Sequence, residues 1–449
     1  MRLCKCHNCA PVHFVKTGRL PNFKTMASYY FILGVSILVI LSYFFDIISK
    51  KIKIPSVLLL LGTGILLNKF SSYYGFQLPE LQATVNVLGL VGLLLIVLEA
   101  ALDLKITRKK RPLIIRAFTT ALLILIGTSF AIAYLIYSMG LTQDFYTAYI
   151  NALPLSVVSS AIVIPSVHFL DEDKKEFLIY ESTFSDILGI IAFDIVLMMH
   201  RGGGNVVAKV GGGLFLTILV SLIAGYILIF MFQNIKTKIK FFLFLSILTA
   251  LFIMGKIMHL SSLILILIFG LMLENYPIFF KGKLRKIYKE NEIHQVKEQF
   301  KLITFETAFL IRTFFFVLFG MTINIEGIFY ENVFIIGTFI LLLTFVVRYL
   351  NLKVFFNGKS LFPEVFMAPR GLITILLFYK IPLEYRIPYF SKEVISFVIL
   401  GSALLMTIGL WFGKKKTTDE EFELYENFDH GHHSDNNSLW EELYEHHEE

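Results

Sequence analysis

The sequence predicts an all-α polytopic membrane protein of about thirteen transmembrane helices, an inverted repeat with two discontinuous crossing helices at spans five and twelve. Three observations carry this. Of 449 residues, 56% are hydrophobic and only 17% are charged, and the mean hydropathy is +0.70, more apolar surface than a soluble chain of this length could bury. The apolar residues fall into runs such as Tyr30–Ile48, Val85–Leu102, Leu113–Met139 and Val333–Val347, close to the roughly 20 residues that cross about 30 Å of hydrocarbon. Two further runs carry proline, with serine or glycine, at mid-depth.

Each crossing must satisfy its own backbone in lipid, so helices are the default spanning element. A membrane barrel would alternate apolar and polar residues over about 10 positions, and these runs do not. The expected spans are 28–48, 54–69, 85–103, 113–138, 145–169, 177–199, 207–233, 241–256, 260–274, 303–323, 332–351, 361–381 and 393–413.

Assigning the loops alternately to two sides orients the chain. One side collects Lys50, Lys51 and Lys53, the run from Lys105 to Arg111, Lys174 and Lys175, Lys236 to Lys240, the loop from Lys281 to Lys301, Lys353, Lys359 and Lys414 to Lys416. The other has only Lys69, Arg201, Lys209, Lys256, Lys380, Arg386 and Lys392. Basic loops stay cytoplasmic, which puts the N-terminus outside and the C-terminus inside. The net charge of +7 then reflects a membrane face and gives no reason to expect nucleic acid as a partner.

Three regions follow. Residues 1–25 are basic yet would be exported, and Met26 followed by Ala-Ser and an apolar run reads as a chain start, so they are expected to be an extension. No apolar core precedes Met26, which argues against a signal peptide. The extension carries Cys4, Cys6 and Cys9 with His7; the spacing resembles a metal site, but an N-terminal extension without a role in the fold is the simpler reading. Residues 26–413 form the membrane body. Residues 414–449 are an acidic tail with His430, His432, His433, His446 and His447, read as solvated.

Ionisable residues inside a span are costly and mark function by default. Setting aside charges that can reach an interface leaves Glu99, Glu181, Asp186, Asp194, Glu306, Arg312, Arg348 and Arg370. With a rise of about 1.5 Å per residue, Glu181 lies about 6 Å, Asp186 about 14 Å and Asp194 about 26 Å into the sixth span. Asp186 is therefore the acid at the midplane. Arg370 reaches a similar depth, and Arg348 matches Glu181. On the helical wheel Ser182, Ser185, Asp186 and Gly189 share a face, whereas Glu181 points about 140° away. That spacing gives Asp186 two hydroxyl neighbours and a glycine gap, and makes Glu181 the partner of Arg348.

The fifth span reads from Leu153-Pro154 through Ser156, Ser159 and Ser160 to Pro165, and the twelfth contains Met367-Ala368-Pro369-Arg370-Gly371. Proline removes a donor and frees carbonyls in the preceding turn. The two breaks lie seven spans apart, so they enter from opposite sides. Interrupted helices at corresponding positions of two halves point to a transport site.

Glu181-Ser182-Thr183-Phe184-Ser185-Asp186 resembles the sixth-helix motif of the monovalent cation:proton antiporters, in their electroneutral sodium/proton exchanger branch. Val346-Val347-Arg348 is similar to that family's eleventh-helix arginine, Pro369-Arg370-Gly371 to its twelfth-helix Arg-Gly motif, and Val97-Leu98-Glu99-Ala100 with Leu102 to its third-helix pattern. The resemblance spans about residues 28–413 and departs twice. Ser185 stands where the family has asparagine, and Ser159-Ser160-Ala161 stands where it has Thr-Asp-Pro, without the second carboxylate.

The resemblance implies that Asp186, Ser182, Ser159 and Ser160 coordinate the ion, with Ser185 beside them, Glu181, Arg348, Arg370 and Glu99 in support, and a homodimer in the bilayer. No cofactor is implied; the ligands are a monovalent cation (sodium ahead of potassium or lithium) and the proton. A desolvated carboxylate holds either a proton or a cation, because an uncompensated charge is costly in low dielectric. Competition at one carboxylate forces exchange, and with no second titrating group beside it one cation moves per proton.

Three rivals remain open at this stage. A cation channel would use the same helix breaks without proton coupling. An organic-anion carrier would need basic groups facing its substrate, which Arg370 alone supplies and Asp186 opposes. A membrane enzyme would need a catalytic constellation, and His168 stands alone.

Overall fold

The computed structural model describes residues 23–74, 81–107, 109–167, 170–200, 206–234, 241–257, 262–280, 290–356, 361–387, 390 and 392–412. The cysteine cluster at 4–9, His168, and the histidine-rich tail lie outside the described residues.

The described residues are helical and contain no strand. In chain order the helices are α1 (Phe23–Ile52), α2 (Ser56–Tyr73), α3 (Leu81–Asp103), α4 (Arg111–Ser138), α5 (Phe145–Ser156), α6 (Ser160–Ser166), α7 (Glu172–His200) and α8 (Val206–Asn234). They continue with α9 (Phe241–Ile257), α10 (Ser262–Glu274), α11 (Tyr276–Phe279), α12 (Glu290–Thr322), α13 (Ile325–Ile328), α14 (Glu331–Phe355), α15 (Leu372–Lys380) and α16 (Lys392–Phe412). Among the described residues, eight segments are long and apolar enough to cross a membrane, among them Arg111–Ser138, Phe145–Ser166 and Lys392–Phe412, while Leu245–Ile257 and Leu263–Glu274 are shorter apolar helices.

Local chemistry sets the boundaries. Asp144 caps α5, its carboxylate accepting from the Tyr146 (3.2 Å) and Thr147 (3.0 Å) N–H groups, which satisfies two of the orphan donors at a helix start. Pro112 sits in the first turn of α4, where its missing N–H costs nothing. At the other end of α14 the Arg116 guanidinium donates to the Phe355 carbonyl and lies 3.7 Å from the Phe356 ring centre, placing a cation at the negative end of the helix.

Packing sorts the helices into two groups. One joins α2, α3, α8, α9, α10 and α12; the other joins α4, α5, α6, α7, α14, α15 and α16. Within the first group α2 and α12 approach backbone to backbone, because a Cβ on Gly64 or Gly320 would strike the main chain of the partner helix. Interfaces of small residues are how helices pack closely in lipid, where apolar side chains gain nothing by leaving the tails. α1 carries exposed Ile32, Leu33, Ile37, Ile40 and Phe44, an apolar surface suited to lipid.

Both interrupted spans depart in detail from their sequence expectation. In the fifth, the helix stops at Val157–Ser159, between the prolines, while Pro154 and Pro165 lie inside α5 and α6. Val157 and Ser159, both in extended geometry, mark the break. In the twelfth, a 3-10 turn at Glu364–Phe366 leads into non-helical residues 367–371, and regular helix occupies only Leu372–Lys380.

Candidate functional site

The two breaks meet. Ser159 N–H donates to the Pro369 carbonyl at 2.9 Å, so one interrupted span satisfies the other's freed backbone. Gly371 makes this approach possible: a Cβ there would come within 2.5 Å of Ser159 Oγ and 3.0 Å of Ile162. On the far side, Arg370 N–H donates to Ser402 Oγ of α16 at 2.9 Å. Irregular backbone at membrane depth is tolerated where protein covers it in this way.

Asp186 of α7 faces the first break. Its Oδ2 accepts from both the N–H (3.0 Å) and the hydroxyl (2.5 Å) of Ser160, the first residue after the interruption. Its Oδ1 is buried without a hydrogen-bond partner among the described residues. The residue is 2% exposed. One carboxylate oxygen is thus held and the other left open, which suits a group that must take up a proton or a cation.

The other sequence candidates divide. Ser160 touches Asp186. Ser185 does not; its hydroxyl oxygen accepts from Val158 N–H at 2.9 Å, bracing the break one residue along the chain from Asp186. Ser182 does not either, because its hydroxyl bonds back to the Ile179 carbonyl at 3.2 Å, the usual local alternative for a serine inside a helix. The hydroxyl neighbours expected from the helical wheel are therefore directed elsewhere. The glycine gap is also filled, since Gly189 lies directly against the Val157 side chain. Ser159 Oγ is buried and without a partner, next to Gly371.

Glu181 and Arg348 form a two-pronged ion pair, with Nη1 to Oε1 at 2.6 Å and Nη2 to Oε2 at 2.8 Å. Both side chains are almost fully buried. Arg348 Nε also donates to the Glu364 carbonyl at 3.0 Å. Glu364 is itself buried and pairs with Lys174 at 2.6 Å. Lys174, Glu181, Arg348 and Glu364 thereby tie α7, α14 and the entrance to the second break together. Glu364 was not among the sequence candidates; a carboxylate next to Pro363 near the end of an expected span was the available signal.

Arg370 is fully buried, and none of its three guanidinium nitrogens has a hydrogen-bond partner among the described residues. It makes no hydrogen bond to Asp186.

Glu99 of α3 and Arg312 of α12 bond to each other, Arg312 Nη2 lying 2.9 Å and 3.3 Å from the two Glu99 oxygens. The pair joins two helices of the other packing group, which no spacing within one span could reveal. Of the remaining intramembrane charges, Asp194 pairs with Lys380 at 2.8 Å, and Glu306 accepts from the Tyr43 hydroxyl at 3.1 Å.

Comparison with known proteins identifies the family and the fold. The family described as the transmembrane sodium/hydrogen exchanger matches residues 35–414. The sodium proton antiporter MjNhaP1 from Methanocaldococcus jannaschii, in its structure at pH 8, is similar with a TM-score of 0.63 and 20% identity over 86% of this chain and 100% of that one. A second structure of that antiporter, from an electron-microscopy map, gives a TM-score of 0.55 and 21% identity over 86% of this chain and 95% of that one. Comparison with curated proteins gives no match. The likeness to the solved structures is one of fold, and the family match extends over most of the chain: it is a multi-pass membrane protein that belongs to the sodium/hydrogen exchanger family.

Proposed function

We propose that the protein exchanges a monovalent cation, sodium ahead of potassium or lithium, for a proton across a cell membrane, one for one and without net charge movement. The observation that carries this is the Asp186 carboxylate, fixed through one oxygen by Ser160 and open at the other. Proton and cation compete for that open oxygen. The Ser159 hydroxyl, buried and unpartnered, and the carbonyls released by the break at 157–159 supply further oxygens of the kind that suit alkali cations. Family membership and the antiporter fold support the reading.

In this account the chain crosses the membrane thirteen times, as an inverted repeat whose fifth and twelfth spans cross at the site. The N-terminus lies outside, the C-terminus lies in the cytoplasm, and two copies form a dimer. The group holding α4 to α7 and α14 to α16 carries Asp186 past the other group, exposing it to each side in turn. Glu181 and Arg348 hold α7 to α14 during that motion, and Arg370 offsets the negative carbonyl ends where the spans cross. With Glu99 engaged by Arg312, Asp186 alone carries the exchanged charge.

The serines at 159 and 160 favour potassium as a second reading, because the fifth-span break holds no carboxylate of its own. Reconstituted vesicles test both. Proton movement is followed by an internal pH-sensitive dye while sodium, potassium and lithium are added in turn. A proton flux that answers sodium most strongly supports the proposal; a response to potassium alone favours the second reading; cation flux without proton movement rejects antiport.

A further inference from the structure

We infer that the hydrogen bond from the Tyr180 hydroxyl to the Lys105 carbonyl is a latch between the two packing groups, set in place by Asn275, that opens in each exchange cycle. This rests on the exchange reading above, with one group carrying Asp186 past the other. Residues 104–110 join α3 of the first group to α4 of the second.

Three contacts divide this connection between the groups. Asn275, which directly follows α10, is 3% exposed. Its Nδ2 donates to the Leu104 carbonyl at 2.8 Å and to the Leu271 carbonyl of α10 at 3.1 Å, and its Oδ1 accepts from Ile106 N–H at 2.7 Å. The residues on either side of Lys105 are therefore fixed to the group of α3 and α10. Lys110, just before α4, pairs with Glu176 of α7 and is fixed to the other group. The Lys105 carbonyl, between the two backbone groups that Asn275 holds, accepts from the Tyr180 hydroxyl of α7 at 3.0 Å.

The Asn275 bonds and the Lys110–Glu176 pair each join atoms that move together. The Tyr180 bond joins atoms that part when α7 slides. Tyr180 precedes Glu181, whose two-pronged pair with Arg348 holds this stretch of α7 to α14, so the hydroxyl cannot lag behind its group. Lys105 is exposed, so water takes over the carbonyl once the hydroxyl leaves, and no buried acceptor is stranded. The latch thus holds the form in which Asp186, further along α7, is buried. It touches neither ion, so it is present alike in the proton-loaded and cation-loaded closed forms. Tyr180 and Asn275 act as positioning residues, on the rate of leaving those forms and not on the choice between them.

The test follows proton flux into vesicles holding the full-length protein, against the concentration of the driving cation. Tyr180→Phe keeps the ring and removes the hydroxyl; it should raise the maximal flux per inserted protein by roughly twofold to tenfold and leave the cation KM within about twofold. Asn275→Ala frees Lys105 to follow α7 and should raise the maximal flux likewise. The Tyr180→Phe/Asn275→Ala double variant should gain nothing beyond the single variants, as expected for residues that act on one contact. A wild type that moves no protons in response to sodium, potassium or lithium would overturn the exchange reading and this inference with it. An exchanging wild type beside a Tyr180→Phe whose maximal flux is unchanged or lower, or whose KM shifts instead, would overturn this inference alone. Should Asn275→Ala fail to insert, Tyr180→Phe decides by itself.

Discussion

Ser160 holds Asp186 twice through one oxygen, with its N–H at 3.0 Å and its hydroxyl at 2.5 Å. The pair joins the buried acid of α7 to the first residue beyond the break in the fifth span. Any motion that reshapes the break therefore reshapes the acid's surroundings, and any change in the acid's charge is felt by the break.

The first prediction separates the three serines of the neighbourhood. A hydrogen bond to a charged group contributes about 1.5–3 kcal/mol, so Ser160→Ala should raise the sodium KM by roughly tenfold or more while the protein inserts normally. Ser182→Ala should change KM by less than about threefold, since that hydroxyl serves only its own helix and such back-bonding adds little. Vesicle proton flux against sodium concentration measures both, and equal losses in the two variants would refute the assignment.

Glu181 and Arg348 carry a stability prediction. Removing one member of a buried ion pair leaves the other charge uncompensated and costs about 3–5 kcal/mol. Arg348→Gln and Glu181→Gln should each lower the thermal midpoint of the detergent-solubilised protein sharply. The double variant, with no stranded charge, should recover part of the loss. The check is a melting curve followed by size-exclusion fluorescence, with additive losses as the contrary result.

Gly371 tests the crossing itself. An added methyl would strike Ser159 Oγ and Ile162, and overpacking of this kind costs about 1–3 kcal/mol. Gly371→Ala should push the two breaks apart and cut the maximal flux at least tenfold, with a smaller effect on folded yield. Gly320→Ala, which crowds α2 against α12 away from the site, should do the reverse: lower yield, with the sodium KM of the surviving protein unchanged.

Depth and periodicity made part of this site legible. Counting from span ends put Glu181 level with Arg348, and the two do pair, because rise per residue is fixed by helix geometry. Proline, with serine in the fifth span and glycine in the twelfth, flagged both interruptions, although the helix of the fifth span breaks at Val157–Ser159 and keeps its prolines inside helices. The wheel put Ser182 beside Asp186 but could not show where its hydroxyl would turn. Contacts between distant helices left no local trace: Glu99 with Arg312, Lys174 with Glu364, and Ser159 with Pro369. Each depends on how separate spans pack against one another, which spacing within one span does not encode.

The central claim is that proton and cation compete for Asp186, and Asp186→Asn tests it most directly. The amide keeps the size of the side chain and can still bond Ser160, but carries no charge and takes up no proton. In vesicles containing the correctly inserted variant, cation additions should produce no proton flux above that of empty vesicles, while the wild type responds. Full cation-dependent proton flux from Asp186→Asn would contradict the account.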